Sequence, residues 1–403
     1  MSQKTIAVLF GGCSTEHSVS LQSAQAVLRA INREQYLPLA IGITREGAWR
    51  FFPGNPDRLP DGSWERDPGC VPCVLSPDRT CPGLLLLGKK QRFLPIDAAF
   101  PVLHGKNGED GTLQGLLELA GIPIVGCGTL ASALGMDKDR AHRLAALAGV
   151  PSPRGIVFER GEEFSVMERA AESLGWPLFV KPVRSGSSFG VSRAARPSEL
   201  REAVEKAFLH DTEILLEEAV PGFEIGCAVV GNNKLVTGRV DEIELSAGFF
   251  DYEEKYTLKT SKIHCPARIS PEKEEEAARA AKTVYRALGC RGFARVDLFL
   301  TPDGTILFNE VNTIPGFTSH SRFPSMMKAV GVSFDRLVNR LIALAFEDAS
   351  CECAKEEERQ NAAPGNAPRQ TEKRAPLPVQ KSHSGENAEK SVQVSGQKLE
   401  VTA

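Results

Sequence analysis

No apolar stretch in this chain of 403 residues approaches the roughly 20 that a membrane-spanning helix requires; the longest, "PGLLLLG" and "LIALAF", are far shorter. Excess charge of one sign is missing too. Lys and Arg number 48 against 51 Asp and Glu, a net −3, which gives no electrostatic reason to expect a nucleic-acid or membrane partner. The opening "MSQKTIAVLFGG" has one Lys and a short run broken by glycines, not the pattern of a signal peptide. A cytoplasmic protein is the expectation. Ten cysteines are too sparse for a disulfide scaffold. Cys70-x-x-Cys73 with Cys81 has no second pair at finger spacing and lies among prolines, so it reads as a surface excursion with incidental thiols.

What is present is rhythm. "TIAVLF", "SVSLQSAQAVLRAI", "LPLAIGI", "AAFPVLHG", "TLQGLLELAG" and "IPIVGC" alternate β-branched and helical runs, which predicts a parallel sheet flanked by helices with function in the loops after the strands. The Pro- and Gly-rich segment from Phe52 to Gly83 breaks the rhythm and reads as an insertion outside the core. From Leu130 onwards a helix, "MDKDRAHRLAALAGV", precedes a strand–loop–strand unit, "WPLFVKPVRSGSSFGVS", and a helix at "PSELREAVEKAFL". Strands follow, then a polar, aromatic stretch at 246–264, a charged helix at 271–288, and "GFARVDLFL" joined to "TILFNEVN" by a "TPDG" turn. The expected organisation is an α/β domain at 1–128, then α+β units at 129–212 and 213–348. After Asp348 the chain has no aromatic residue and too little apolar surface to offset its ordering entropy, so 349–403 is expected to be a disordered tail.

The turn "GGCSTEHSVSL" at 11–21 holds Cys13 and His17 four apart beside two glycines, a spacing open to a thiol nucleophile with its base, to a phosphate loop, or to neither. As a strand-to-helix turn it uses the glycines to bend, Ser14 or Thr15 to cap the helix, and Glu16 in the first turn. "LFVKPVRSGSSFGVS" ends a strand in Lys181 and continues into small residues, which suits nucleotide phosphates as well as an ordinary hairpin loop; it is not a Walker A motif, because the Lys precedes the glycines. Asp297 lies on one strand with Glu310 and Asn312 two apart on the next, and a hairpin register can gather all three among Val, Leu and Phe. Such a cluster is costly without positive charge between its members, and its hard oxygens fit Mg²⁺ bridging phosphates. Arg295 faces the same way and can stabilise developing negative charge. A solvated hairpin face is the alternative.

"HGKNGEDGTLQG", "MDKDRAH", "KPVRSGSSFG", "EKY", "ARVD" and "NEVNTIPGFTSHSR", in this order over about residues 3–347, resemble the D-alanine:D-alanine ligase family. The resemblance implies an ATP-grasp fold, mixed α/β and α+β, with 129–212 and 213–348 as its two subdomains and 246–264 as a lid loop. It implies a cytoplasmic homodimer acting on ATP, D-alanine and a second D-amino acid through an acylphosphate, with two Mg²⁺ ions for which Mn²⁺ can substitute. Lys138 and Lys181 would then meet ATP phosphates, with Lys255 of the lid also on the nucleotide side. Glu217, Glu218 and Val220 would meet the adenine, and Glu224 the ribose. Asp297, Glu310 and Asn312 would hold the metal ions, and Arg295 and the Gly316 N–H would face the oxyanion. Glu16, His104 and Glu109 would form the donor site, with Ser187 and Tyr256 linking the lid to Glu16.

Ser321 and Arg322, in "SHSRFP", fall on the acceptor side. Ordinary D-alanine:D-alanine ligases have an apolar residue where Arg322 stands, and depsipeptide-forming enzymes lack the Lys-Tyr pair kept here as Lys255 and Tyr256. The combination is most similar to VanG-type D-alanine:D-serine ligases, a resistance activity, with D-serine favoured and D-alanine possible as acceptor. Arg322 can donate to a serine hydroxyl, serve the acceptor carboxylate, or form a structural ion pair. Lys106 and Arg184 read as solvated charges. Another carboxylate–amine ligase of the same fold would share Lys181 and the metal set but not Glu16, the Lys-Tyr pair or "PGFTSHS". A non-enzymatic nucleotide-binding module has no need of Arg295.

Overall fold

The computed structural model describes residues 3–186, 188–245 and 261–362, with side chains described through residue 348 apart from those of 245 and 261. The first sheet has seven strands in the order β6-β5-β4-β3-β2-β1-β7, namely Arg92–Pro95, Gly83–Leu86, Val71–Leu75, Trp49–Phe52, Tyr36–Ile43, Lys4–Gly11 and Ala98–Pro101. Strand β1 is apolar along most of its length and is buried from Ile6 onward, as a central parallel strand covered on both faces must be. Helix α1 (His17–Ala30) carries it back across the sheet to β2. Only β2, β1 and β7 are parallel; β3 to β6 add antiparallel neighbours.

That addition corrects two expectations, the wholly parallel sheet and the Phe52–Gly83 insertion. Trp64, in the middle of the segment, is fully buried. Its ring lies over Gly42, where a Cβ would overlap it, and meets Phe10 edge-on at 5.1 Å between centroids. "VPCVL" alternates, with Cys73 and Leu75 inward and Pro72 and Val74 exposed, a strand's period of two. The prolines mark turns between core elements rather than a departure from the core.

Helices α2 (Thr112–Leu119), α3 (Thr129–Met136) and α4 (Lys138–Leu147) lead out of this domain. The run read as one helix breaks at Asp137, whose side chain caps α4 by accepting from the N–H of Arg140. A four-stranded antiparallel sheet follows in the order β10-β9-β11-β8, that is Ser192–Ala194, Leu178–Pro182, Glu213–Glu218 and Gly155–Glu159, backed by α5 (Phe164–Leu174) and α6 (Pro197–Phe208). Strand β11 pairs into this central sheet from beyond residue 212, whereas Ala131, Ala141 and Ala145 of α3 and α4 join the core of the last sheet.

That last sheet runs β15-β14-β12-β16-β17, or Ser261–His264, Asp241–Leu245, Phe223–Val230, Phe293–Leu300 and Ile306–Asn312, with β13 (Val236–Thr237) on β12. Every pairing in it is antiparallel. Residues 261–264, taken above as the end of the lid, are therefore strand. Helix α7 (Pro271–Ala287) covers the sheet, starting with Ser270 as its cap and Pro271 in its first turn. Helices α8 (Arg322–Ala329) and α9 (Phe334–Ala362) end the described chain. The backbone stays helical past Asp348 as far as Ala362, which shortens the stretch expected to lack structure; 363–403 lies outside the described residues. No helix among the described residues is long and apolar enough to cross a membrane.

Candidate active site

A cleft of about 460 Å³ gathers side chains from every part of the chain: Glu16 after β1, His104 and Glu109 after β7, Lys138 at the start of α4, and Ser185 and Gly186 after β9. Its far wall is Arg295, Glu310, Asn312, Gly316, Ser321 and Arg322. Loops after strands thus converge on one place, as the α/β rhythm predicts.

At the β1 end, Gly11 and Gly12 have φ of 88° and 91°, and a Cβ on Gly11 would overlap the Ile43 carbonyl. Glu16 is the N-cap residue of α1, not part of its first turn, and no side chain caps the helix. Ser14, expected to do so, instead accepts from the N–H of Glu16 (3.2 Å) and donates to the His104 carbonyl (2.7 Å). Glu16 is buried beside Gly105, where any Cβ would strike its carboxylate. Glu109 accepts from the N–H of Gly105 (2.8 Å) and of Ile314 (3.2 Å). Burial and then the neighbouring Glu16 push the Glu109 carboxyl up to about 8. His104 is buried, and burial lowers its pKa from the ordinary histidine value. Its Nδ1–H donates to the Ile314 carbonyl (2.9 Å), so Nε2 is left to accept from Ser23 (3.3 Å). Ser23 Oγ in turn accepts from the N–H of Phe317 (3.3 Å). His104 therefore pins the 314–317 loop against α1 at the cleft wall.

Across the cleft, Asp297 pairs directly with Glu310, and Arg295 with Asn312, so the four side chains share one face of the β16–β17 ladder. Asn312 donates from Nδ2 to Asp297 at 2.9 Å. The Asp297 side chain is almost fully buried and is held by two guanidinium groups: Arg295 bidentately (2.8 and 2.6 Å), and Arg322 at 3.5 Å. Arg322 also grips Asp241 through two 2.8 Å bonds and Glu224 at 3.0 Å. Its guanidinium lies where Gly226 leaves space, since a Cβ there would overlap Arg322, Asp241 and Asp297. Arg322 therefore forms the structural ion pair open to it in the sequence, and it also lines the cleft. Asp297 has Arg295 and Arg322 as cationic partners in this structure; the two acids and the amide supply hard oxygens, a donor set of the type that fits Mg²⁺.

On the β9 side, Lys181 is buried and bonded to Glu217, while Lys138 donates to the Ser185 carbonyl at 2.6 Å. Glu218 is tied to Arg154 through its side chain (2.6 Å) and through its backbone N–H, which donates to the Arg154 carbonyl (3.0 Å). Val220 lies two residues beyond the end of β11, and Glu224 meets Arg322 rather than standing alone. Ser321 is engaged with Thr318 within its own loop (2.8 Å). Ser187, Lys255 and Tyr256 lie outside the described residues.

Two family models match the chain, "D-ala D-ala ligase N-terminus" over residues 5–127 and "D-ala D-ala ligase C-terminus" over residues 144–343. The chain belongs to the D-Ala-D-Ala ligase family. Its fold is accordingly ATP-grasp, and the family is ATP-dependent and uses a divalent metal. The solved VanG D-Ala:D-Ser ligase from Enterococcus faecalis is 55% identical, with a TM-score of 0.80 over 85% of this chain and 100% of that one. A putative D-alanine–D-lactate ligase of Streptomyces coelicolor is 47% identical, covering 86% of this chain and 99% of its own length. A D-alanine–D-alanine ligase of Caldicellulosiruptor bescii is 44% identical over 86% and 96% respectively. The family thus spans ligases named for three acceptors.

Cys13 and His17 do not form a nucleophile–base pair. Cys13 is exposed, and His17 turns its Nδ1 to the Gly12 carbonyl (2.7 Å) and its Nε2 toward Glu65 (3.8 Å). Cys73 is buried in the first sheet and Cys70 donates to the Trp64 carbonyl, so these thiols do not belong to a surface excursion. The sequence reading missed Asp241, the fully buried acid under Arg322. Its only signal was position: an acid opening a strand, "DEIEL", immediately before the aromatic stretch. Arg184, read as a solvated charge, is bound to Asp211.

Proposed function

We propose that this chain is an ATP-dependent, ADP-forming ligase that joins D-alanine to a second D-amino acid, D-serine in preference to D-alanine, for the terminal dipeptide of peptidoglycan precursors. The observation that carries it is the pairing of Asp297 with Glu310 and of Arg295 with Asn312, across one cleft from Glu16 and Glu109. A site for phosphates and a site for an ammonium thereby share one space.

Glu16 takes the donor ammonium, with Glu109 and the His104-pinned loop shaping the wall behind it. Lys138 and Lys181 hold ATP phosphates, the backbone of 217–220 the adenine, and Glu224 the ribose. Asp297, Glu310 and Asn312 would hold Mg²⁺, with Mn²⁺ as a substitute; the ion offsets phosphate charge when bound. The donor carboxylate attacks the γ-phosphoryl group and ADP leaves. The acceptor amine attacks the acylphosphate carbonyl, Arg295 and the Gly316 N–H stabilise the oxyanion, and phosphate departs. Ser187, Lys255 and Tyr256 close the lid and keep water from the acylphosphate. The enzyme works as a cytoplasmic homodimer.

For the acceptor, Arg322 is the deciding residue. It lines the cleft while fixed to Asp241 and Glu224, so the acceptor meets a rigid, charged wall where an apolar side chain would stand in an alanine-specific enzyme. The 55% identical relative is named for D-serine. One hydroxyl discriminates by about 1–3 kcal/mol, which leaves D-alanine a slower substrate. Competing D-serine against D-alanine over purified enzyme with Mg²⁺ and ATP should give the higher kcat/KM for D-serine. A tenfold advantage for D-alanine would make this an ordinary D-alanine:D-alanine ligase.

A further inference from the structure

The turn between α6 and β11 grips the backbone after β9 at both ends. At the near end, Asp211, its side chain buried, accepts from the Arg184 backbone N–H (2.7 Å) and from its guanidinium, Nε at 3.2 Å and Nη2 at 2.8 Å. Nη2 also lies 3.3 Å from Glu213. At the far end, Gly190 has φ of 74° and sits so close to His210 and Pro182 that a Cβ would overlap both. Between these ends Ser185 and Gly186 line the cleft, whereas Arg184 does not. The Ser185 carbonyl receives the Lys138 ammonium, the N–H of Lys138 donates to the Val183 carbonyl (3.1 Å), and Val183 donates to Glu213 (3.0 Å). Val183 is buried, but beyond it little apolar surface holds the stretch: Arg184 is exposed and Ser185 and Gly186 are half-buried. Past Val183 its position depends on polar anchors.

We propose that Arg184 and Asp211 are positioning residues for the nucleotide phosphates, fixing the Val183–Ser185 backbone that orients Lys138 beside Lys181. The proposal rests on the ATP reading given above. A bidentate, charge-assisted bond is a directional anchor, and Asp211 is itself held by the N–H of Thr212 (2.6 Å). The anchor is therefore rigid on the sheet side and transmits that rigidity to the loop.

The informative variant is Arg184→Gln, which removes the guanidinium while Asp211 keeps its backbone partners. Isothermal titration of the full chain with Mg²⁺ and ATP, without amino acids, should show affinity about tenfold weaker than in the unchanged protein. Arg184→Lys, which retains one charged bond, should recover part of it. The KM for D-alanine should stay within about twofold and the Tm nearly unchanged, a split that loss of general structure would not produce. Unchanged ATP affinity in Arg184→Gln, or parallel losses in ATP affinity, D-alanine KM and Tm, overturns the positioning role. If the unchanged protein itself binds no ATP, the nucleotide reading falls and takes this proposal with it.

Discussion

Glu109 places a carboxyl beside Glu16 on a cleft wall, and the consequence is a proton held where, on the proposed reading, the donor ammonium arrives. With its carboxyl pushed up to about 8 by burial and by Glu16, the folded protein prefers the neutral acid. Its contribution to stability is present below the ordinary value of 4.5 and is lost as pH rises toward 8. A donor ammonium favours the ionised form and expels that proton, so D-alanine binding should strengthen as pH rises through the same window. Glu109→Gln has no proton to lose. In that variant the Tm of the ligand-free protein should no longer fall across this range, and the pH slope of the donor KM should flatten. Identical slopes in both proteins would show that another group governs donor binding. At this scale the sequence was legible where chemistry and local geometry coincide, as at Glu16, set by two glycines and a helix start. It singled out Arg322 but not the set of acids that holds it, because Asp241, Glu224 and Asp297 come from three strands whose pairing no local pattern specifies.

Among the elements, the hairpin of β16 and β17 was readable because an apolar alternation frames its polar residues, and its pairing of Asp297 with Glu310 follows from that register. The segment between β3 and β5 was not, because prolines and glycines obscure a period of two that lasts only five residues in "VPCVL". Its membership of the core is testable through Trp64. The ring is fully buried over Gly42 and between Phe10 and Phe52, so Trp64→Ala should cost about 3–5 kcal/mol in urea unfolding. A change below about 0.5 kcal/mol is what a surface position gives, and it would return the segment to the status of an insertion. The same ring explains why residue 42 has no side chain.

At the scale of the whole molecule, the catalytic body and the C-terminal stretch separate by composition, by compactness and by kinship. Residues 1–354 form one compact unit; the family match ends at 343; and the VanG relative is covered along its entire length by 85% of this chain. None of the residues placed in the cleft lies beyond Arg322. Cutting by composition alone put the boundary at Asp348, inside helix α9, since a helix that loses its apolar face gradually shows no sharp change in sequence. Asp348 is bonded to Arg291 at the edge of the last sheet, so a truncation should keep it. Removing residues 355–403 should leave kcat and the KM for ATP, D-alanine and D-serine within about twofold, because catalysis depends on groups fixed by the three sheets. Activity assays alone do not separate an inert tail from one that governs association, so sedimentation of both proteins belongs to the same experiment. Unchanged kinetics with an unchanged state of association would confine the tail to a role outside the reaction. A large fall in kcat with the state of association unchanged would place the tail at the active site.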